Sequence, residues 1–565
     1  MTSIYEGYSQ ERKEMQRKGE APLFFTTGGY QLFKDKYQWE NLTIRKTYMR
    51  IAKCAAKHTN QPDSWAVRFF DIMWKGWLAP STPVFANMGT IRGMPVSCSG
   101  GVVHDSIGGF YTSRLEAALL TKEGFGTSSY LGDIRPRGSS ISTGGKAAGV
   151  LPVIKGFVQD MEDVAQGGDT RRGAWAGYLE LNHGDFWEVI EYLNEFPDGM
   201  NIGWLMTDEI YEALENGDSE MNNRWQRAMK VKAVHGKGYF LNIDHINRNR
   251  PVMYKDKELF VKASNLCIEI ALFSDKDHTF TCVLSSMNAA LYDEWKDTDA
   301  VYVATVFLDC VCSEFLELAK EIPELHKAIR FTEKGRALGL GVLGFHTYLQ
   351  QLMIPLESFD AHMKNIEIFS HLEDEALKAS MWMAKQWGEP EWCEGYGVRN
   401  THRTAVAPNT SSSLLCGGSS QGIEPIVANV YTQATAAGEI YRMNPVFLKI
   451  LRDKNVEWTD AMADDVIEHL GSVQHVDYLS QEEKDVLKTA YEVDQMALVR
   501  LAAARAPYIC QAQSLNLFFD ADESEEYIQK VHQEALMNPD IMGLYYLRTM
   551  AGVQAAKDEC VACEG

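Results

Sequence analysis

Along Glu40-Asn41-Leu42-Thr43-Ile44-Arg45-Lys46-Thr47-Tyr48-Met49-Arg50-Ile51 the apolar positions recur at intervals of three and four, the spacing of one face of a helix. Residues 1 to about 80 are therefore expected to be a helical, polar-rich lead-in rather than an obvious separate domain. From Ser81 to about Ala407, glycine-rich turns alternate with short apolar runs and with amphipathic stretches such as Asp185-Phe186-Trp187-Glu188-Val189-Ile190-Glu191-Tyr192-Leu193. That alternation predicts an α/β layout of strands and crossover helices. Residues 430 to 550 read as mostly helical, and residues 551–565 as a small, polar, mobile tail. No internal repeat of 20 to 50 residues interrupts this order.

The stretch Asn265-Leu266-Cys267-Ile268-Glu269, followed by Cys282, is the strongest chemical signal in the chain. In an extended segment side chains alternate, which predicts Asn265, Cys267 and Glu269 on one face, roughly 6.6 Å apart in succession. An amide, a thiol and a carboxylate on one face suit chemistry on a hydroxyl-bearing carbon. The carboxylate can accept a proton, the amide can bind a polar group, and the thiol can act as nucleophile, hydrogen donor or radical. The competing reading is that Cys267 is a small buried hydrophobe between Leu266 and Ile268, as free cysteines usually are.

The chain has 565 residues, 45% of them hydrophobic, which is ample for a large core. No apolar run reaches the roughly 18 residues of a spanning helix, and the N-terminus lacks a signal layout, so a soluble cytoplasmic protein is expected. The formal charge of −22 excludes long nucleic acid as a natural partner, although single nucleotides need only a local site. Eleven cysteines without secretory features argue against a structural disulfide framework. Cys54, Cys310, Cys312, Cys393, Cys416 and Cys510 lie in apolar or mixed helical-looking text and are assigned to packing.

Four further motifs carry weaker signals. Cys560-Val561-Ala562-Cys563 is a Cys-x-x-Cys with no second ligand pair nearby, so a thiol shuttle on an arm fits better than zinc. Gly339-Leu340-Gly341-Val342-Leu343-Gly344 matches G-x-G-x-x-G, but its charged lead-in Glu333-Lys334-Gly335-Arg336-Ala337 is no buried strand, and a dinucleotide fold is rejected. Ala407-Pro408-Asn409-Thr410-Ser411-Ser412-Ser413-Leu414 is a hydroxyl-rich turn suited either to a phosphate or to an ordinary helix N-cap. Ser97-Cys98-Ser99-Gly100-Gly101 puts another cysteine where glycine lets the chain approach a ligand.

Together these motifs resemble the catalytic large (alpha) subunit of class I ribonucleotide reductase, from about Ser81 to the C-terminus. Asn265 through Ile270 resembles the Asn-x-Cys-x-Glu loop, Cys98 and Cys282 the reducible pair, Arg336 through Gly344 the glycine segment, and Pro408 to Ser412 the substrate-phosphate loop. The resemblance implies a ten-stranded α/β barrel of two antiparallel-related halves with Cys267 on a central finger loop, preceded by helices. It implies catalytic roles for Cys267, Glu269, Asn265, Cys98 and Cys282, and substrate contacts at Thr82, Ser97, Pro408, Asn409, Thr410, Ser411 and Ser412. It also makes the tail dithiol Cys560/Cys563 the agent that reopens a Cys98–Cys282 disulfide, with thioredoxin or glutaredoxin behind it.

Adjacent tyrosines in Gly543-Leu544-Tyr545-Tyr546 resemble the relay that carries an oxidising equivalent from a metal-containing, ferritin-like small (beta) subunit. No cofactor and no metal are then expected in this chain itself. The plainer alternative is a pair of core or interface aromatics. Asp105, Ser106, Ile107, Arg135 and Arg172 resemble an effector site for a deoxynucleotide or ATP, placed in the family at a homodimer interface. The reporting loop Gln166 to Ala174 is one residue longer than the usual pattern. Only about 80 residues precede Ser81-Thr82-Pro83, fewer than an ATP-binding domain with its helical lead-in would occupy, so no ATP/dATP switch through such a domain is expected. A compact form of this kind suits a viral source and a host cytoplasm. Two alternatives stay open: an adenosylcobalamin-dependent (class II) reductase, and a non-catalytic nucleotide-binding partner. Diphosphate versus triphosphate substrate is undecided at this level.

Overall fold

The computed structural model describes residues 4–166, 171–435 and 438–549. Among the described residues, four α-helices, Ile4–Arg17, Thr27–Leu32, Ile44–Ala56 and Pro62–Trp74, and a short π-helical segment, Phe33–Tyr37, fill the lead-in. The predicted 40–51 periodicity falls on the third, where Thr43 accepts the Lys46 N–H as N-cap and Ile44, Tyr48, Ile51 and Ala55 are buried. None of the described helices is long and apolar enough to cross a membrane.

The main sheet has nine regular strands: β1 (Leu78–Pro80), β2 (Cys98–Val102), β3 (Gly126–Tyr130), β4 (Trp175–Glu180), β5 (Asn201–Met206), β6 (Tyr239–Asn242), β7 (Phe280–Asn288), β8 (Leu338–Leu343) and β9 (Gly543–Leu544). β2 through β6 run parallel, with helices in the crossovers. β7 is antiparallel to β2 and parallel to β8, so a second parallel half begins there in the opposite sense.

Hydrogen bonds carry that half round to closure. Leu340 bridges Thr404, Val406 bridges Gln513, and Leu517 pairs with Leu547, all parallel, while β9 returns antiparallel to β6. One circuit therefore crosses ten extended segments: β7, β2, β3, β4, β5, β6, residues 543–547, 511–517 and 404–406, and β8. This is an α/β barrel of two five-membered halves, and closure leaves no sheet edge in the circuit.

Every residue of β7 is buried, as expected for a strand covered on both faces. Gly339 and Gly341 of the G-x-G-x-x-G motif lie inside β8, while Gly344, at φ +76°, makes the turn from β8 into the helix Phe345–Gln351. A Cβ on Gly339 would meet Leu284 at 2.3 Å and one on Gly341 the Ala405 carbonyl oxygen at 2.5 Å. These two allow strand approach rather than phosphate binding. Residues 430–550 are less purely helical than their pattern suggests. A hairpin of Val430–Thr435 with Gly438–Met443 and the strand Leu517–Phe519 share the region with five helices. Cys98, Cys267, Cys282, Tyr239, Tyr545 and Tyr546 belong to one apolar cluster inside the barrel.

Candidate active site

Residues 264–272 leave the wall and turn inside the barrel, and here the extended-strand expectation fails. Ile268 has φ +61°, so side chains do not alternate along 265–269. A β-branched residue in this region is strained, at a cost of about 1–3 kcal/mol. Backbone anchors on both sides hold it there. The Tyr178 hydroxyl donates to the Asn265 carbonyl, the Ser514 hydroxyl to the Cys267 carbonyl, and the Ala512 N–H to the Glu269 carbonyl at 3.0 Å. Ser264 Oγ closes the neck of the loop onto the Ile270 carbonyl at 2.6 Å.

The turn still gathers the trio. Asn265 Nδ2 donates to Glu269 Oε1 at 2.9 Å and to Cys98 Sγ at 3.0 Å, so one amide touches the carboxyl and the first thiol of the suspected pair. Glu269 is 1% exposed, and burial raises its carboxyl to about 7 even though the Asn265 and Ser514 hydrogen bonds favour the ionised form. A base poised near neutrality is what proton transfer from a hydroxyl requires.

Cys98 on β2 stands directly opposite Cys282 on β7. Opposed antiparallel positions have Cα atoms roughly 4.5–5.5 Å apart, inside the range a disulfide spans. Both are free thiols here. Cys282 is fully buried, which pushes its thiol well up, while Gln511 Nε2 donates to its sulfur at 3.4 Å. The same amide reaches the Leu338 carbonyl at 2.8 Å, and its oxygen accepts the Ala271 N–H at 3.1 Å. Gln511 thus ties Cys282 to the base of the loop. A cavity of about 500 Å³ is lined by Arg250, Tyr396, Arg403 and Cys510 among others, and Gln511 and Ala271 form part of its wall.

Tyr545 Oη lies 3.4 Å from Cys267 Sγ, and the Tyr545 and Tyr546 rings are 4.1 Å apart. A third tyrosine joins them. The Tyr239 ring lies tilted with its centroid 4.7 Å from that of Tyr545, and its hydroxyl lies 3.3 Å from that of Tyr546. Behind the group, fully buried Lys232 donates to the carbonyls of Tyr545 and Gly238, and burial brings its ammonium down to about 7.

The hydroxyl-rich turn abuts the ends of β1 and β7. Asn409 adopts φ +61° and makes no side-chain cap to the helix Thr410–Leu415. Its carboxamide oxygen instead accepts from Ser286 Oγ at 2.9 Å, and its nitrogen donates to the Ala407 carbonyl at 2.8 Å, so the ordinary N-cap reading is not realised. Ser412 Oγ donates to the Pro80 carbonyl at 3.3 Å, and Thr410 Oγ1 to Gln421 Oε1 at 3.2 Å. Pro408 and Ser411 are buried in the same turn. Ser97 Oγ donates to Ser81 Oγ at 3.1 Å, and Thr82 Oγ1 lies 3.3 Å from the Tyr37 hydroxyl. Cys510 departs from simple packing: its sulfur accepts the N–H groups of Arg403 at 2.9 Å and Thr404 at 3.1 Å.

Ser106 caps the helix Ile107–Lys122 by accepting the Gly109 N–H, and Arg135 Nε pairs with Asp105 at 2.5 Å. Arg172 pairs by backbone with Ala165. Its side chain lies outside the described residues, as do residues 167–170 of the reporting loop and the tail cysteines Cys560 and Cys563. The residues missed from sequence are Tyr178, Tyr239, Lys232, Gln511, Ser514 and Asn516. Their signal is thin: Cys510-Gln511-Ala512-Gln513-Ser514-Leu515-Asn516 shows amides and a hydroxyl interleaved with small apolar residues, and only the barrel circuit makes that an inward-facing strand.

Residues 23–93 match the family described as "Ribonucleotide reductase, all-alpha domain", and residues 96–226, 220–396 and 391–546 match "Ribonucleotide reductase, barrel domain". The chain is 33% identical over 544 residues to the putative ribonucleoside-diphosphate reductase large subunit of Frog virus 3 (isolate Goorha), covering 90% of this chain and 94% of that one. It is 28% identical over 635 residues to the ribonucleoside-diphosphate reductase large subunit of Invertebrate iridescent virus 3, covering 96% and 98%. Among solved structures it is similar to the Actinobacillus ureae class Id ribonucleotide reductase alpha subunit, with a TM-score of 0.85, 36% identity, and coverage of 94% of this chain and 98% of that one.

Proposed function

Since this chain belongs to the ribonucleotide reductase large-subunit family, we propose that its barrel centre reduces ribonucleoside diphosphates through a thiyl radical on Cys267. The observation that carries the reading is the Asn265 amide, in contact with both Glu269 and Cys98, beside a Cys267 within reach of Tyr545. Cys267 takes the 3′ hydrogen of the ribose and later returns it. Glu269 accepts the 3′-hydroxyl proton, which its raised carboxyl suits at neutral pH. Asn265 orients the hydroxyls, and Cys98 protonates the departing 2′ oxygen, which leaves as water. Cys98 and Cys282 supply two electrons and become a disulfide, so ribonucleotide plus dithiol gives deoxyribonucleotide, disulfide and water.

Thr82, Ser97 and the 408–412 turn hold the phosphate end. The tail dithiol Cys560/Cys563 exchanges with the Cys98–Cys282 disulfide and is itself reduced by thioredoxin or glutaredoxin. Asp105, Ser106, Ile107, Arg135 and Arg172 bind the effector nucleotide at a homodimer interface. The oxidising equivalent enters through Tyr546 and Tyr545 from a ferritin-like small subunit. This favours class I over adenosylcobalamin chemistry, which generates its radical beside the cysteine and needs no tyrosine pair.

The test is turnover of a ribonucleoside diphosphate with a dithiol and a ferritin-like small subunit. Cys267→Ser and Tyr546→Phe are both expected to be inactive. Activity of both Tyr545→Phe and Tyr546→Phe with adenosylcobalamin alone would give the class II reading instead. No turnover under any supply, with nucleotide still bound, would leave a binding protein.

A further inference from the structure

Glu424 is a buried carboxyl outside the chemistry described so far. It sits in Gly422-Ile423-Glu424-Pro425, the turn that follows the hydroxyl-rich loop, and is 8% exposed. That turn is fastened to the loop. Gly422 has φ +48°, and a Cβ there would meet the Ala407 carbonyl oxygen at 2.9 Å. Gln421 receives the Thr410 hydroxyl at 3.2 Å, and the Glu424 N–H closes onto the Gln421 carbonyl at 2.9 Å.

From this fixed base Glu424 Oε1 accepts Asn516 Nδ2 at 2.6 Å, and Asn516 Oδ1 accepts the N–H of Tyr546 at 2.9 Å. The Tyr546 carbonyl accepts the Leu517 N–H at 3.1 Å, so both backbone polar groups of Tyr546 are held by residues 516 and 517. Arg548 lies 4.9 Å over the Tyr546 ring, and its positive charge favours the Glu424 carboxylate. Asn516 also stands two residues beyond Ser514, which holds the Cys267 carbonyl. The segment 511–516 therefore touches Cys282, Cys267 and Tyr546 in turn.

We infer that Glu424 is a positioning residue for Tyr546, fixing its backbone through Asn516 and thereby tying the ring that receives the oxidising equivalent to the loop proposed to hold the substrate phosphate. This rests on Tyr546 being the relay residue proposed above. Burial raises the Glu424 carboxyl to about 7, and in either protonation form one oxygen can accept the Asn516 amide. Buried amides whose acceptor is deleted are costly to leave unpaired, which is why removal should release Asn516 and let Tyr546 drift.

The experiment measures kcat and KM for a ribonucleoside diphosphate with saturating small subunit and, separately, the yield of radical on a redox-active tyrosine analogue at position 546. Glu424→Ala is expected to lower kcat roughly tenfold, the scale of one lost buried hydrogen bond, at unchanged KM and with a matching fall in radical yield. Glu424→Gln keeps an oxygen facing Asn516 and should recover most of both. If Glu424→Ala does not fold, Asn516→Ser cuts the same link at its middle and should reproduce the loss. Parental kcat and radical yield in Glu424→Ala, or Glu424→Gln as impaired as Glu424→Ala, overturn the inference while an inactive Tyr546→Phe leaves the relay standing. A fully active Tyr546→Phe overturns both.

Discussion

The centre of the barrel and the end proposed to bind an effector both carry a hydrogen-bonded carboxylate, in opposite surroundings. At the centre Asn265, Glu269, Cys267, Cys98 and Cys282 are all buried, and each is held by residues from distant parts of the chain. At the proposed effector end, Ile107 is 71% exposed and the Arg135–Asp105 pair lies near the surface. A carboxyl in the first place is shifted to about 7 by desolvation. In the second, solvent and salt screen the charge interaction. Burial is thus what gives a single side chain leverage over chemistry, and surface contacts must act through binding and assembly instead.

The largest contrast should come from Cys267→Ser. It exchanges one buried atom without enlarging the side chain, yet turnover should fall by more than about 10³-fold, because a hydroxyl does not replace the sulfur proposed to abstract hydrogen. Circular dichroism should show the fold intact. Retained turnover would break the claim that the centre is chemical rather than a packed core.

Glu269→Gln should cost roughly 10²–10⁴-fold in turnover, the range for loss of a general base. In the parent protein, turnover should decline as pH falls below about 7, where Glu269 becomes protonated. The stability sign is opposite. A folded carboxyl raised from 4.5 to about 7 adds stability that is complete below 4.5 and lost as pH rises through 7. Glu269→Gln, which cannot ionise, should therefore melt higher than the parent at about pH 8 and close to it near pH 4. Thermal melts at the two pH values decide this, and a lower Tm for the amide at alkaline pH would contradict the raised carboxyl.

Ser514→Ala removes the anchor of the Cys267 carbonyl and one donor to Glu269. Denaturant titration should register a loss of about 1–3 kcal/mol, with turnover down roughly tenfold as the strained turn at Ile268 relaxes. Unchanged kcat would mean that the loop needs no support from the 511–517 strand. Smallest of all, Asp105→Asn should change unfolding free energy by less than about 1 kcal/mol, an effect that shrinks further with added salt. A larger loss would show this exposed end to be as tightly built as the centre.

Local order and chemical identity were written in the sequence. Helical spacing over 40–51, the α/β alternation after Ser81, and the Asn-x-Cys-x-Glu string are properties of neighbouring residues, and short-range sterics and burial act on them directly. What the string could not convey is its conformation. Alternation predicted one face for Asn265, Cys267 and Glu269, whereas a left-handed Ile268 and anchors from Tyr178, Ala512 and Ser514 gather them by a turn. Only tertiary structure sets Cys98 opposite Cys282, brings Tyr239 to Tyr546, and makes one strand of Gln511, Ser514 and Asn516 touch Cys282, Cys267, Glu269 and Tyr546. The physical reason is sequence separation: these contacts join residues up to 307 positions apart, and closure of the barrel, which no local pattern encodes, is what places them within hydrogen-bonding distance.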